Sequence, residues 1–420
     1  MAIYCRWVPR ASRLSRRSFL QTAVDEIEVD TIATSQLHLP PLALYIHLPW
    51  CVRKCPYCDF NSHQQPKSIP EAEYVAALLR DLELDLPRVW GRCVVSIFFG
   101  GGTPSLFSAD AITAILDGVR ARIKVRPDAE ITLECNPGTA EFGNLQGYRK
   151  AGVNRLSFGV QSFDDAILQR LGRIHSAAEA VAAIAQARAA GFDNINIDLM
   201  YALPGQDQAG ALADLSKALG LAPEHVSHYH LTMEPNTVFA RFPPEDLPDH
   251  DTAWAIQEAC QAQLALAGYE HYEVSAYAKA GRRSQHNQVY WRFGDYLGIG
   301  AGAHGKITDL NTQRVSRLEK QKNPRLYLAS AGHSSAIQVR ELAADELAFD
   351  YMLNALRLHE GFLSADFRAY TGLVLEANAG FHKALAKGLL ERSESAKGEI
   401  IRPTDLGQRF LNDLINLFSS

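Results

Sequence analysis

Three cysteines stand close together early in the chain, Cys51, Cys55 and Cys58, in the spacing C-x3-C-x2-C. Three thiolates on one short loop can bind a [4Fe–4S] cluster and leave its fourth iron without a protein ligand, whereas a cluster used only for electron transfer normally takes four cysteines. An open iron can chelate a ligand that carries an amine and a carboxylate. The alternative is a structural zinc site, formed by the same cysteines with His47 or His63.

The elements that would position this loop follow a regular pattern. From residue 42 onward, short β-branched and aromatic runs alternate with helix-periodic stretches, which predicts repeated βα units and a parallel sheet. The predicted strands cover residues 42–46, 94–99, 130–134, 155–160, 194–199 and 226–231, and the predicted helices between them include 71–86 and 111–123. Six such units predict an α/β fold, a partial (β/α)6 TIM-like barrel whose site lies at the carboxyl ends of the strands.

Glycines and polar residues follow these strands at the edge where a site would form. Gly100, Gly101 and Gly102 come after the second strand, and without side chains they let a ligand approach the backbone closely. The later strand ends carry groups that could fix an amine, a carboxylate and a ribose, namely Glu134, Gln161, Arg173 and Asp198. S-adenosylmethionine (SAM) offers those groups, so this rim predicts a SAM site beside the cysteines. Any one of the four could instead be a solvated or capping residue.

Two histidines and a glycine-rich loop lie farther along the chain. Residues 286–291 read HNQVYW, and His304 follows the loop LGIGAGA at 297–303. This loop matches the G-x-G-x-x-A dinucleotide fingerprint, but no clear strand precedes it, so we expect close packing against the barrel mouth instead. His286 or His304 could be an axial haem ligand beside an apolar wall, although a hydrogen-bonded core histidine is the commoner outcome.

The composition is that of a globular protein without a broad charged field. The chain has 420 residues, 47% of them hydrophobic, and a formal net charge of −5, so nothing favours nucleic-acid or anionic-membrane binding. Clustered cysteines favour a reducing compartment, and no stretch reaches the length of a membrane-spanning helix. We therefore expect a cytoplasmic protein. The other cysteines are expected to pack in the interior: Cys5, Cys93, Cys135 and Cys260.

The chain divides into three parts. Residues 1–40 form an arginine-rich extension that resembles a twin-arginine export signal around Arg16 and Arg17 but lacks the apolar run that must follow. A disordered extension, an organelle presequence or a start placed too far upstream explains it at least as well. Residues 41–335 hold the barrel and the segment after it. Residues 336–420 change to compact helices, a hairpin at 390–401 and a final helix from Thr404, which indicates a small winged-helix-like α+β domain without a basic recognition helix.

Several motifs together resemble radical SAM proteins of the oxygen-independent coproporphyrinogen III oxidase group, and in particular its haem chaperone branch. They are YIHLPWC (45–51), the cysteine loop, FGGGTPS (99–105), GVQSF (159–163), DLMYALP (198–204), HNQVYW (286–291) and GIGAGAH (298–304), within a similarity that runs from residue 42 to 418. The resemblance implies a [4Fe–4S] cluster on Cys51, Cys55 and Cys58. It also implies SAM contacts from a larger set of residues: Tyr45, Tyr57, Gly101, Gly102, Thr103, Glu134, Gln161, Arg173, Asp198 and Thr232.

One position departs from the oxidases of that group, whose cysteine loop continues as Cys-x-Cys. Here Asp59 and Phe60 follow Cys58, so the second cysteine of that pair is absent. The resemblance therefore implies a haem chaperone that binds haem, near His286 or His304, and delivers it to membrane-associated or respiratory acceptor proteins, as a monomer or a dimer.

Two other functions stay open on the sequence. One is an oxygen-independent coproporphyrinogen III dehydrogenase, which removes a β-hydrogen from a porphyrinogen propionate by radical chemistry and releases CO2. The other is a redox or structural iron–sulfur protein that ignores SAM. That last function would leave the glycines and the polar rim without a use.

Overall fold

The computed structural model describes residues 36–138 and 144–419. Its strands are, in chain order, β1 Leu42–Leu48, β2 Trp50–Cys51, β3 His63–Gln64, β4 Cys93–Gly101, β5 Lys124–Cys135, β6 Arg155–Gln161, β7 Ile195–Tyr201, β8 His225–His230, β9 Glu270–Glu273, β10 Ala276–Ala278, β11 Asp295–Ile299, β12 His304–Asp309, β13 Arg314–Lys320, β14 Ile337–Glu341, β15 Phe362–Leu363, β16 Leu390–Ser395 and β17 Gly398–Pro403. Its α-helices are α1 Glu71–Asp85, α2 Ala109–Arg120, α3 Leu145–Ala151, α4 Asp165–Arg170, α5 Ala177–Ala189, α6 Gln208–Gly220, α7 Val238–Arg241, α8 His250–Leu266, α9 Gln285–Trp291, α10 Pro324–Ser330, α11 Ala344–Ala355, α12 Ser364–Thr371, α13 Ala379–Ala386, α14 Asp405–Arg409 and α15 Leu411–Asn416.

The six strands that the sequence predicts lie side by side and parallel, in the order β1, β4, β5, β6, β7 and β8. β5 begins at Lys124 rather than at residue 130, because its first residues pair with Cys93 and Val94 of β4. β11 adds a parallel strand beside β1. Antiparallel strands extend both edges, β12 to β14 beyond β11 and β10 with β9 beyond β8. The sheet is therefore an open, partial barrel.

The two faces of this sheet differ in chemistry. Ile97 and Phe99 of β4 are fully buried in one apolar cluster with Leu78 of α1 and Ile115 of α2. Because side chains alternate along a strand, the neighbours Ser96 and Phe98 face the other way, into the barrel. The helices therefore cover the outer face of the sheet, and the inner face can carry polar groups.

The glycine-rich loop lies at the end of β11, so the expectation that no strand precedes it is wrong. Three residues separate the end of α9 from the start of β11, and the strand contains Gly298, which weakens its sequence pattern. β12 follows instead of a helix, which leaves no dinucleotide-binding unit. A Cβ atom at Gly298 would lie 1.9 Å from the carbonyl oxygen of His304, and one at Gly300 would lie 2.3 Å from that of His47. The predicted close packing of this loop is confirmed.

A buried ionic cluster joins this extension to α1. The Lys320 ammonium lies 2.5 Å from Asp81 Oδ1 and 2.5 Å from Asp85 Oδ2. The Tyr327 hydroxyl donates to Asp81 Oδ2 at 2.8 Å, and the Gly300 N–H donates to the same oxygen at 3.0 Å. We call Asp81, Asp85, Lys320 and Tyr327 the seam cluster.

The C-terminal part has its own hydrophobic core, which includes Tyr351, Phe367 and Phe381. A three-stranded sheet in the order β15, β17, β16 belongs to it. β14 still pairs with β13, so the large sheet continues past residue 335. The single final helix expected from Thr404 is instead two short helices, α14 and α15, because the backbone at Phe410 leaves the helical range, with φ −110° and ψ 41°.

The end of the N-terminal segment contacts this C-terminal core. Leu37 is buried in it, and the His38 N–H donates to the carbonyl oxygen of Ala369 at 2.8 Å. The arginine-rich segment and Cys5 lie outside the described residues. Of the other cysteines expected in the interior, Cys135 and Cys260 are buried, but Cys93 is exposed at the start of β4, so that expectation is wrong for Cys93. Within residues 36–138 and 144–419, no helix combines the length and apolar character needed to cross a membrane.

Candidate functional site at the barrel mouth

The cysteine loop leaves the carboxyl end of β1 and is closed by its own hydrogen bonds. Cys51 ends β2, which pairs with β3. The Lys54 ammonium donates to the carbonyl oxygens of Phe60 at 3.0 Å and Ser62 at 3.3 Å. One small, internally bonded loop therefore holds all three cysteines.

The three thiols are free and half-buried. Cys55 Sγ accepts a hydrogen bond from the Arg173 guanidinium at 3.4 Å, and Cys58 Sγ lies 3.7 Å from Ser62 Oγ. Burial raises the pKa of the Cys51 thiol to about 11, and its hydrogen bond to Thr103 only partly opposes this. A thiolate at this position therefore needs a cation beside it, which an iron atom supplies.

The surroundings of the cysteines argue against the zinc alternative. In the part of the chain that the structure describes, no three His, Cys, Asp or Glu side chains converge as ligands of one ion. A cubane binds each thiolate through a different iron, so it needs neighbouring thiols that do not meet at one point. The zinc alternative also lacks a free fourth ligand, because both ring nitrogens of His47 are hydrogen-bonded, and His63 bonds to Asn61 Oδ1 through Nε2 at 3.2 Å and also to the Lys322 backbone. The residues present fit the cluster.

His47 contacts both the cysteine loop and the glycines that follow β4. Its Nε2–H donates to the carbonyl oxygen of Asn61 at 2.9 Å, so its Nδ1 accepts from the Tyr45 hydroxyl at 3.0 Å. Burial lowers the pKa of His47 to about 4, which keeps the ring neutral. A Cβ atom at Gly101, where φ is +111°, would lie 2.5 Å from this ring, and one at Gly102 would lie 2.5 Å from the Trp50 carbonyl oxygen. Packing alone therefore requires glycine at both positions.

Two carboxylates lie together at the inner rim. Glu134 near the end of β5 accepts a hydrogen bond from the Gly101 N–H, and burial, with the nearby Asp198 carboxylate, raises its pKa to about 7. Asp198 on β7 is buried and accepts a hydrogen bond from Asn196 Nδ2 at 2.8 Å. The rim predicted from separate strand ends is thus brought together, and it attracts a cationic ligand.

Gln161 ends β6, which lies between the strands of the two carboxylates, and Arg173 lies close to it. Gln161 is buried with φ +75°, a left-handed conformation that non-glycine residues rarely adopt, and its Oε1 accepts from the Tyr229 hydroxyl at 2.6 Å. The Arg173 guanidinium donates to the Gly159 carbonyl oxygen at 2.6 Å and to Asn136 Oδ1. Sequence reasoning missed Tyr229, although alternation along β8 places it on the inner face with His225 and Ser227.

Three other residues of the predicted SAM set have different surroundings. Tyr57 packs against Phe239 with ring centroids 6.2 Å apart and lies near Arg173, whose charge opposes the effect of burial on the Tyr57 pKa. Thr103 is buried, and its N–H donates to the Trp50 carbonyl oxygen at 2.8 Å. Thr232 is exposed, just after β8.

The haem ligand expected at His286 does not fit the structure. His286 is 1% exposed. Its Nδ1 lies 3.0 Å from Ser96 Oγ, its Nε2 lies 2.9 Å from the Tyr290 hydroxyl, and its ring stacks on Phe98 with centroids 5.0 Å apart. Both nitrogens are thus used inside the barrel, so this residue is the hydrogen-bonded core histidine. His304 is half-buried at the start of β12.

Comparison with known proteins places this site in a family. The model of the radical SAM superfamily matches residues 45–215. The haem chaperone HemW of Haemophilus influenzae is 46% identical over 384 residues, which are 90% of this chain and 98% of that protein. HemW of Escherichia coli is 48% identical over 381 residues, with the same coverage of both chains. A mitochondrial radical SAM domain-containing protein 1 of Mus musculus is 35% identical over 92% of this chain and 88% of its own.

A solved structure supports the fold. Coproporphyrinogen III oxidase (HemN) of Escherichia coli, described as a radical SAM enzyme, superposes with a TM-score of 0.76 over 92% of each chain, at 24% sequence identity. At that identity the likeness concerns the fold alone. The two HemW sequences match this chain along 98% of their own length, at 46% and 48% identity. This chain belongs to the HemW family of radical SAM proteins.

Proposed function

We propose that this protein is a cytoplasmic haem chaperone that carries a [4Fe–4S] cluster and SAM, binds haem, and delivers it to membrane-associated acceptor proteins. The observation that carries the proposal is the similarity to haem chaperones along 98% of their length, at 46% and 48% identity. The similarity includes the parts outside the barrel, so it concerns the whole protein and not only the cofactor site.

The barrel mouth supports both cofactors. Cys51, Cys55 and Cys58 would hold the cluster, which would leave one iron open to the amine and carboxylate of SAM. SAM carries an ammonium and a sulfonium against one carboxylate, so its net charge suits the acidic pair Glu134 and Asp198. These side chains would orient SAM.

The residue at position 60 separates this function from porphyrinogen decarboxylation. Phe60 stands where the oxidases carry another cysteine, and it is half-buried, with its carbonyl oxygen bonded to Lys54 at 3.0 Å and to the Ser62 N–H at 2.6 Å. The loop is therefore closed without a fourth thiol. We expect no turnover of coproporphyrinogen III.

Of the two histidines that the sequence offers as haem ligands, His304 is the one that remains. It lies at the edge of the barrel extension, half-buried, at the start of the strand that pairs with β13. We propose that it binds the haem iron. His333, an exposed histidine in the same extension, provides a matched control.

A haem titration of the protein, reconstituted with cluster and SAM, tests the proposal. We expect saturable uptake with a Soret band, a changed band in the His304→Gln variant and an unchanged one in His333→Gln. The loaded protein should then pass haem to the apo-form of a membrane-bound haem protein in vesicles. Absence of haem uptake by the reconstituted protein would overturn the proposal, whereas uptake with an unchanged His304→Gln spectrum would overturn only the ligand assignment.

A further inference from the structure

A chain of hydrogen bonds runs through the barrel interior and ends at Asp198. The Tyr272 hydroxyl lies 2.8 Å from His225 Nε2, His225 Nδ1 lies 2.6 Å from Asn196 Oδ1, and Asn196 Nδ2 lies 2.8 Å from Asp198 Oδ1. All four side chains are buried. Of these four residues, the proposed SAM site includes only Asp198.

The chemistry of the groups sets the direction of every bond. A carboxylate only accepts, so the Asn196 atom beside Asp198 is the amide nitrogen, and its oxygen must face His225. That oxygen accepts, so His225 donates from Nδ1. Burial lowers the pKa of His225 and keeps the ring neutral, so Nε2 accepts from the Tyr272 hydroxyl. Each donor therefore points toward the carboxylate.

A second buried carboxylate shows what a purely structural arrangement looks like. Asp214 accepts the Phe163 N–H on Oδ1 and the Ser162 hydroxyl on Oδ2, each at 2.7 Å. Asp198 differs, because its hydrogen bond falls on Oδ1 alone. Among the described residues, Asp198 Oδ2 has no hydrogen-bond partner.

We propose that Asn196 and His225, supported by Tyr272, are positioning residues that fix the Asp198 carboxylate so that Oδ2 is presented to SAM. The inference rests on the proposed role of Asp198 in binding SAM. Asn196 cannot rotate its amide without breaking the bond from His225, and it also donates to Ser157 Oγ at 2.8 Å. The interior polar chain is thus part of the SAM site, although Asn196 is the one member of it that touches Asp198.

The test measures SAM affinity of the cluster-reconstituted protein by titration calorimetry and by the change of the reduced cluster's EPR signal. His225→Leu removes the closer of the two donors to Asn196 Oδ1, since the Ser227 hydroxyl also donates to it at 3.1 Å, and should weaken SAM binding about ten-fold. His225→Asn keeps an N–H at the position of Nδ1 and should restore affinity to within about three-fold of the parent. Tyr272→Phe removes only the outermost donor and should weaken binding about three-fold. Iron content and haem uptake should not change.

A matched control lies on the same strand. His228 is also buried in β8 but faces outward, stacked on Tyr201 with centroids 4.8 Å apart, so His228→Leu should lower stability without changing SAM affinity. If Asp198→Asn loses SAM binding while both His225→Leu and Tyr272→Phe keep it, the positioning role is refuted and the SAM site stands. If Asp198→Asn binds SAM like the parent, the assignment of Asp198 itself fails, and the positioning role fails with it. If His225→Leu does not fold, Tyr272→Phe decides alone.

Discussion

The seam cluster and the barrel mouth both bury carboxylates, and they treat them in opposite ways. At the seam, Asp81 and Asp85 share the Lys320 ammonium at 2.5 Å, and hydrogen bonds from Gly300 and Tyr327 complete the arrangement. At the mouth, Glu134 and Asp198 lie near each other, and within the described residues neither forms an ion pair.

The seam cluster stabilises the fold, whereas the barrel mouth is arranged for a ligand. The seam carboxylates have an ammonium and hydrogen-bond donors from the barrel extension beside them, so the seam cluster fastens α1 to that extension. A buried carboxylate pair without an ion-pair partner costs stability until a cationic ligand binds. The protein therefore gives up stability at the mouth for the ligand that binds there.

The largest effect is expected where the cofactor is attached. Cys55→Ser removes one of the three thiolates of the cluster loop, so the reconstituted protein should lose nearly all of its iron and its cluster absorption. Cys93→Ser, at an exposed and free cysteine, is the matched control and should keep the full iron content. Equal loss in both variants would contradict the assignment of the loop.

A large loss of stability is expected at the seam. Lys320→Met leaves two buried carboxylates without their cation and should lower the free energy of unfolding by about 3–5 kcal/mol, measured by denaturant unfolding. Lys322→Met removes an exposed pair, with Glu319 at 2.6 Å, and should cost at most about 1 kcal/mol. The SAM affinity of folded Lys320→Met should not change. A cost as small as that of Lys322→Met would show that the seam does not fasten the extension.

Removing a carboxylate at the barrel mouth should raise stability, in contrast to the loss expected at the seam. The pKa of Glu134 is raised from 4.5 to about 7, so the folded protein holds a proton that the unfolded chain releases between those values. The stabilising contribution of this proton is complete below about pH 4.5 and is lost as the pH rises through about 7. Glu134→Gln should therefore stabilise the SAM-free protein by about 1–2 kcal/mol near pH 8, with little change near pH 4, while weakening SAM binding. Thermal unfolding across this pH range measures the difference, and a variant less stable than the parent near pH 8 would contradict it.

The smallest effect on haem binding is expected at His286. Because both of its nitrogens are hydrogen-bonded in the interior, His286→Gln should leave the haem spectrum unchanged and haem affinity within about two-fold of the parent, at a stability cost of about 1–3 kcal/mol. A haem titration checks this. Loss of the Soret band from a variant that still folds and binds its cluster would restore His286 as the ligand.

The sequence predicts the regular part of this molecule well. Six strands and the residues at their carboxyl ends follow from hydrophobic periodicity, since each βα unit repeats one local pattern. β11 did not follow, because Gly298 interrupts a short run whose pairing with β1 is made across most of the chain. Non-local pairing of that kind leaves no local pattern.

The site was predictable as a set of residues but not as a set of contacts. Gln161 and Tyr229 are separated by 68 positions, and nothing in either neighbourhood indicates their hydrogen bond. His286 stands beside aromatic residues, which is equally typical of a haem wall and of a core. The hydrogen bond between His286 and the Ser96 hydroxyl, which lies 190 positions away in the sequence, identifies His286 as a core residue.

The most direct test of the haem chaperone account is one anaerobic experiment on the reconstituted protein. Coproporphyrinogen III, SAM and a reductant are supplied, the tetrapyrrole products are analysed, and haem is titrated into the same preparation. The account predicts saturable haem uptake and no vinyl product. Conversion of coproporphyrinogen III, or failure to take up haem while the cluster and SAM are bound, would contradict it.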